Sequence, residues 1–568
     1  MTVRWRDVLQ FISEFAFIAT HRLQVKDQDK LPVPGSEQPN TTNTTNLIVM
    51  VANADAGDAV FVEVSTPKTP DATGSYRKYQ KAELLVETER SIPLTWIFWA
   101  SLMISLLQPF QFGWSIGQLN LAAFNNVDDC NARPVVDGTC LMFSGHTKTE
   151  WTLVVNAWIV GGMVGSLCCG SLSERYGRKR VLQANAVFML VGAIVQASAS
   201  SIAVFIVGRF LAGIASGCAT GMVGGYISEI SPPHLRNSYG IGLQISFAVG
   251  LLLVAITFFF ANTSSGWRYI AAFPVVNAGL FLVLAPFMMV ESPAWLLEKG
   301  DHDAAEQELA RLYGNSNVQL ALEWMEPAGN TDLESAPMPE EQQHKGSVLS
   351  LLLSPLFRRQ LLVAIGVASS QQISGINAVF YYSSDIFKDA GISDGRVGGV
   401  ITNLLMVLPT IVVARLSERY GNRKLLLWGL AGMFISAAGM TLSLALSIQA
   451  LSIVFTATFV GAFAGSLGPL IWSITAALFT DSVRATAVSI CIFCNWTCNL
   501  MVGVFFPYIS DGMNSYSFMP FMAIIAFFFV FTRQWVPETV GKTMEEIQAE
   551  FRKIREQKTG LSTAQTAN

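Results

Sequence analysis

Charge is what this sequence has least of. Asp, Glu, Lys and Arg make up 14% of its 568 residues, where soluble domains carry roughly 25%, so one ordinary soluble domain is excluded. Basic tracts are missing too. The net charge of -4 is spread over loops and tails, which leaves no footprint for nucleic acid. Five His and eight Cys supply neither a disulfide scaffold nor a constellation of nucleophile, base and metal, so no enzyme, cofactor or metal site is expected. What is abundant is apolar residues, at 51%. At about 20 residues per crossing, a dozen spans use roughly 240 residues, and a polytopic membrane protein fits the rest into loops and two tails.

Residues 1–90 stand apart, being rich in Thr, Asn, Asp, Lys and Pro with a low-complexity run over 40–46. They read as a largely disordered cytoplasmic tail, open to cytosolic partners. Val8 to Ala19 is apolar, but Glu14 interrupts it, it is too short to span, and no small-residue cleavage site follows. It reads as an amphipathic surface helix and not as a signal peptide. Apolar segments then fall near 95–123, 151–172, 181–200, 202–226, 238–261 and 269–290. Six more follow near 360–387, 396–415, 424–446, 450–478, 486–509 and 517–535. The expected organisation is an N-terminal six-helix half over 91–290, a cytoplasmic linker with short helices over 291–357, a C-terminal half over 358–535 and a cytoplasmic tail over 536–568.

Positive residues orient the chain, because Lys and Arg collect in short cytoplasmic loops. Arg175, Arg178, Lys179 and Arg180 follow the second span, Arg236 the fourth, Arg415, Arg419, Arg423 and Lys424 the eighth, and Arg484 the tenth; Arg358 and Arg359 precede the seventh. All lie on the side that holds both termini. An internal repeat agrees. Ser173-Glu-Arg-Tyr-Gly177 recurs 244 residues later as Ser417-Glu-Arg-Tyr-Gly421. Glu291 answers Glu538, 247 residues on, and Arg236 answers Arg484, 248 residues on. A six-helix unit duplicated in parallel accounts for all three pairs, and it puts a binding site between the halves.

Eight strings in order then carry a family resemblance. They are Gln111-Phe-Gly, the Gly177-Arg-Lys after the second span, Gly208-Arg-Phe, Tyr226-Ile-Ser-Glu-Ile-Ser-Pro232 with Arg236, Glu291-Ser-Pro, Gln371-Gln-Ile-Ser-Gly-Ile-Asn-Ala-Val-Phe-Tyr-Tyr382, Asn495-Trp-Thr-Cys-Asn499 and Val536-Pro-Glu-Thr. Residues from about 95 to 545 resemble the sugar porters of the major facilitator superfamily, nearest to the facilitative glucose transporters. The resemblance implies an all-α membrane protein of twelve transmembrane helices in two six-helix pseudo-repeats, with a small cytoplasmic helical segment.

A hexose is neutral and its hydroxyls both donate and accept, so it needs uncharged side chains that do both, which means amides. Gln244, Gln371, Gln372, Asn377, Asn403 and Asn499 all lie in expected spans, and by resemblance each matches a sugar-contacting position. Interhelical hydrogen bonding is the alternative use of such residues. Trp472, and less clearly Trp496, offers an indole face to the C–H face of a pyranose. Gly375 with Tyr381 and Tyr382 suggests a broken seventh helix whose outer half closes over the site. Gly468 and Pro469 are expected to interrupt the tenth. Glu174, Arg178, Glu229, Arg236, Glu418, Arg423 and Arg484 are expected to act as cytoplasmic gate latches, and buried Arg209 as a structural or coupling residue.

Departures from the family pattern narrow the function. Proton-coupled porters carry an Asp in the first helix where this chain has Ser115, and no Asp or Glu occurs between Ile92 and Asn126. Passive uniport is therefore expected. Ala477 stands where the family has an acid after the tenth helix, so one ion pair with Arg484 cannot form. Ala368-Ser369-Ser370 replaces the Gln-Leu-Ser of members that exclude fructose, which points to a broader hexose range of glucose, mannose, galactose and fructose. The reading is a plasma-membrane hexose uniporter working by alternating access. A proton-coupled symporter and a transporter-like sugar sensor are the alternatives. Cys130 and Cys140 share the loop after the first span, where oxidation would pair them.

Overall fold

A computed structural model describes residues 45–52, 59–66, 92–121, 124, 130, 134, 140–325, 348–354, 357–380, 395–479, 481–542 and 546–553. The chain divides into two units, Met1–Glu87 and Thr88–Asn568. In the first, β1 (Thr45–Ala52) and β2 (Ala59–Thr66) pair antiparallel, with Thr45 opposite Thr66 and Ala52 opposite Ala59. The expectation for this region was a largely disordered tail. In its two strands Leu47, Val49 and Val51 stand opposite Val64, Val62 and Val60, mostly residues whose branched side chains favour extended backbone.

The second unit is helical. Its first six long helices are α1 (Trp96–Gly117), α2 (Lys148–Tyr176), α3 (Arg178–Ser198), α4 (Ile202–Ile230), α5 (Gly242–Thr257) and α6 (Gly266–Met288). The next six are α7 (Arg358–Ile373), α8 (Gly395–Tyr420), α9 (Asn422–Ala445), α10 in two pieces (Gln449–Ala464 and Leu467–Ala477), α11 (Asp481–Met513) and α12 (Met519–Trp535). Among the described residues ten helices are long and apolar enough to cross a membrane, or eleven when Tyr508–Tyr516 and Met519–Trp535, bent by 88°, count as one span. Helix α1 is not among them, because Gln108, Pro109 and Gln111 dilute its apolar run. Those amides are buried and paired: Gln108 Nε2 donates to Leu182 O at 2.7 Å, and Gln111 Nε2 to Ser115 Oγ at 2.9 Å.

Small residues let the helices of the first half touch backbone to backbone. A Cβ added at Gly161 of α2 would lie 2.1 Å from Phe210 O of α4, and one at Gly213 would lie 2.1 Å from Trp158 O. In an apolar medium such close approach, more than hydrophobic burial, drives helices together. Between the halves α2 packs on α11 and α5 on α8. Three short helices follow α6, at Pro293–Glu298, His302–Tyr313 and Val318–Met325. They tie into the ends of the bundle. Tyr313 Oη donates to Ile230 O at 2.6 Å, and Thr95 Oγ1 to Arg311 O at 2.6 Å. Burial raises the Tyr313 phenol above its ordinary range, which keeps it a donor. Cys130 and Cys140 form a disulfide in the loop between α1 and α2.

Candidate functional site

Helix α7 stops at Ile373, and Gly375 holds φ +90° before a further helical piece reaches Phe380. A side chain at Gly375 would be strained there and would also strike the Phe521 ring of α12, 2.6 Å away. The break thus falls where the repeated amides sit. In α10 the expected interruption at Gly468 and Pro469 lies instead at Gly465–Ser466, one turn earlier. Pro469 occupies the first turn of the second piece, where a missing N–H costs nothing. Tyr381 and Tyr382 lie outside the described residues.

Between the halves lies a cavity whose lining includes Gln244, Gln371, Gln372, Asn377, Trp472 and Asn499. Among the described residues no Asp, Glu, Lys, Arg or His contributes to that lining. The amides bond to one another. Gln371 Nε2 donates to Gly468 O at 2.9 Å and Leu467 O at 3.3 Å, while its Oε1 accepts from Gln372 Nε2 and Asn495 Nδ2, each at 3.0 Å. Asn377 Nδ2 donates to Asn499 Oδ1 at 2.7 Å and to Gln372 Oε1. Gln244 reaches in from α5 against Gly468, where an added Cβ would lie 3.4 Å from its Nε2. One wall is aromatic. Trp496 meets Trp158 edge to face at 5.0 Å and Phe112 at 5.6 Å. Its buried Nε1 has no acceptor among the described residues.

Asn403 stands apart from this group, donating to Leu251 O of α5 at 3.2 Å and lying off the cavity lining. Asn495 is the residue that sequence reasoning missed. It enters the sequence only as the start of the string that ends at Asn499, yet it donates to Ala368 O at 2.7 Å and bridges both α7 glutamines. Its place four residues before Asn499 sets both on one face of α11, and that spacing was the available signal. Phe112, Thr220 and Phe247 also line the cavity.

The expected latch residues gather at one end of the bundle. Arg178 grips Glu229 through both carboxylate oxygens, at 2.9 Å each, within the first half. Arg236 and Arg484 each donate Nε to the carbonyl five residues back, Ser231 O and Phe479 O, at 3.2 Å. Arg484 also takes Ala476 O at 3.1 Å, beside the Ala477 that replaces an acid. Arg423 donates to Arg533 O, and Glu174 O accepts from Trp295 Nε1. Glu418 bridges the halves, accepting from Ser238 Oγ. At the opposite end Lys148 of α2 meets Asp511 of α11 at 2.7 Å. That pair is exposed, and such pairs contribute only about 0 to 1 kcal/mol, so it opens at little cost.

The repeat reappears as two matching helix caps. Glu291 accepts from the backbone N–H of Arg178 at 2.7 Å and of Lys179 at 3.0 Å, and Glu538 from those of Asn422 at 2.9 Å and Arg423 at 3.2 Å. Gly177 and Gly421, at φ +93° and +86°, start α3 and α9 with no side-chain cap of their own. The carboxylate supplies it, and its charge complements the helix dipole. Glu291→Ala is expected to cost about 1 to 2 kcal/mol, read as a lower Tm in detergent. Glu538→Ala should add to it, the sites sharing no partner. A double variant no less stable than either single one would contradict separate caps.

Solved structures of the same shape identify the class. The structure titled as the major facilitator superfamily proton:xylose symporter XylE bound to 6-bromo-6-deoxy-D-glucose aligns with TM-score 0.65 at 22% identity, over 80% of this chain and 98% of that one. A partially occluded inward-open form of XylE from E. coli aligns at 0.64 and 22%, over 79% and 100%. The fold is that of a major facilitator. Residues 100–551 match the family described as sugar (and other) transporter. Facilitated glucose transporter member 4 of Mus musculus is 36% identical over 464 residues, 79% of this chain and 89% of that protein. Member 1 of Gallus gallus is 36% identical over 459 residues, 79% and 92%. The chain belongs to the sugar transporter family.

Proposed function

We propose that this protein carries hexoses across the plasma membrane down their gradient by alternating access, taking glucose and also mannose, galactose and fructose. The observation that carries the proposal is the cavity between the halves, lined by amides and indoles with, among the described residues, no ionisable side chain. A neutral polyol exchanges hydrogen bonds with Gln371, Gln372, Asn377 and Asn499 and lays a C–H face against Trp472. The family and its glucose-transporting relatives support that substrate class. Adding α1 to the other spans makes twelve, with both termini and the short helices after α6 on the cytoplasmic side, as the Lys and Arg placement favours.

Uniport follows from what faces α1. Coupling needs a group whose charge changes between conformations, and Ser115 stands there with its carbonyl accepting from Arg209 Nη1 at 2.7 Å. Arg209 also lies over the Trp158 ring, its guanidinium carbon 5.3 Å from the ring centroid, so this buried cation is held without a carboxylate from α1. Opening the cytoplasmic end parts Ser238 from Glu418, and opening the other parts Lys148 from Asp511. The sugar shifts the balance only through contacts that differ between the two states. The test is counterflow of labelled glucose in liposomes with and without an imposed proton gradient. Equal rates in both are expected. Gradient-driven accumulation would replace uniport by symport, and binding without flux would leave a sensor.

A further inference from the structure

We propose that the end of the second half carries a binding site for the headgroup of an anionic phospholipid, in a groove between α8, α9 and α12. The groove is lined by Arg419, Arg423, Lys424, Arg533 and, on its apolar side, Trp428 and Phe529. Two carboxylates also line it, but both are engaged: Glu538 caps α9 and Glu418 accepts from Ser238. Four cations against two committed acids leave the groove positive. Arg423 Nε is buried there without an acceptor among the described residues.

The duplicated architecture gives an internal control. Lys179 of the first half donates to Pro286 O at 3.2 Å, and Arg423 of the second donates to Arg533 O, 247 residues beyond Pro286. The two places are equivalent, yet the first is filled from within. Trp295 lies over Gly177, where an added Cβ would stand 3.3 Å from its ring, and its Nε1 bonds to Glu174 O at 2.9 Å. Arg311 of the next short helix reaches Phe287 O at 3.3 Å. The residue 247 positions beyond Trp295 is Lys542, which pairs with Glu550 at 2.6 Å. The following helix, with Gln548, turns to Gln360 and Leu478 O. Among the described residues nothing covers the second groove as Trp295 covers the first.

A lipid fits this chemistry better than a free anion. Trp428 is 57% exposed and packs at 5.4 Å on exposed Tyr420, and α12, which lines the groove through Phe529, exposes Phe527 and Val530. Phosphate alone gains nothing from an open indole, whereas a headgroup on acyl chains satisfies cations and aromatic rim together. Residues 554–568 hold Arg555 and Lys558 against one acid, Glu556, so that tail is no match for a basic groove. The proposal needs only the bilayer and stands apart from the sugar reading.

The test uses the full chain in phosphatidylcholine vesicles, with dibrominated phosphatidylglycerol or dibrominated phosphatidylcholine added at equal mole fraction as tryptophan quenchers. The anionic lipid should occupy the site on the order of fivefold more readily per cation engaged, seen as extra quenching. That excess should vanish in Trp428→Phe, which removes the reporter, and in Lys424→Gln/Arg533→Gln, which removes charge. Unchanged thermal melting shows that the variants fold. Equal quenching by both lipids in the natural sequence overturns the site, whether or not the acidic stretch 326–347 fills the groove. An excess that survives Lys424→Gln/Arg533→Gln reduces it to general surface charge and also overturns it. Loss of the excess on adding inorganic phosphate assigns a soluble anion and overturns the lipid.

Discussion

Glucose counterflow through Gln371→Ala is expected to fall about a hundredfold, with the protein still inserted and folded. Gln371 is the hinge of the amide cluster. Its Nε2 holds the first turn of the second α10 piece through Gly468 O and Leu467 O, and its Oε1 gathers Gln372 and Asn495. Truncation leaves buried partners unpaired at about 1 to 3 kcal/mol each, and two such losses approach two factors of ten at about 1.4 kcal/mol per factor. Asn495 keeps Ala368 O at 2.7 Å, so α7 and α11 remain joined and the fold survives. Counterflow at subsaturating sugar, beside a thermal melt in detergent, separates the two effects. Full transport would remove Gln371 from the site.

The second large effect is expected from one of two neighbouring glycines, and the contrast is the test. A Cβ on Gly162 would lie 2.6 Å from two atoms of the Trp496 ring, which is a side chain of the other half. Gly162→Ala should push that ring toward the cavity and lower transport at least tenfold, at an overpacking cost of about 1 to 3 kcal/mol. Gly161→Ala instead meets the Phe210 carbonyl at 2.1 Å. Backbone cannot swing aside, so α2 and α4 must separate and the yield of folded protein should drop. Counterflow normalised to folded protein distinguishes them: Gly162→Ala folds and carries little sugar, whereas Gly161→Ala yields little protein. Normal transport by Gly162→Ala would show that Trp496 does not bound the sugar path.

The frame of the molecule was readable because it is repeated. Ser173 to Gly177 and Ser417 to Gly421 marked the same turn twice, and Glu291 and Glu538 proved to be the carboxylates that cap the helix beyond each turn. The amides were readable by scarcity, since a polar side chain in an apolar span must find a partner. Partner choice was not. Asn403 stands three residues before the cavity-lining Met406, yet its amide takes a carbonyl on α5. Arg236, Arg423 and Arg484, expected as latches, donate to carbonyls in their own half, because a guanidinium donates to any oxygen within reach and sequence does not measure reach. Pro469 misled for a related reason. Proline marks a place without an N–H, which is as often the start of a helix piece as its end.

The uncharged lining has a consequence for the cell's electrical state. Moving one elementary charge through 100 mV is worth about 2.3 kcal/mol, and a neutral sugar held by neutral amides moves none. Under the proposed uniport the resting potential then neither drives uptake nor opposes it. Nor do amides that bond to one another offer a titratable step by which protons could slip through between cargoes. A cell relying on this carrier would fill only to the outside concentration, and would keep sugar flowing inward by consuming it, so that metabolism and not voltage sets the pull.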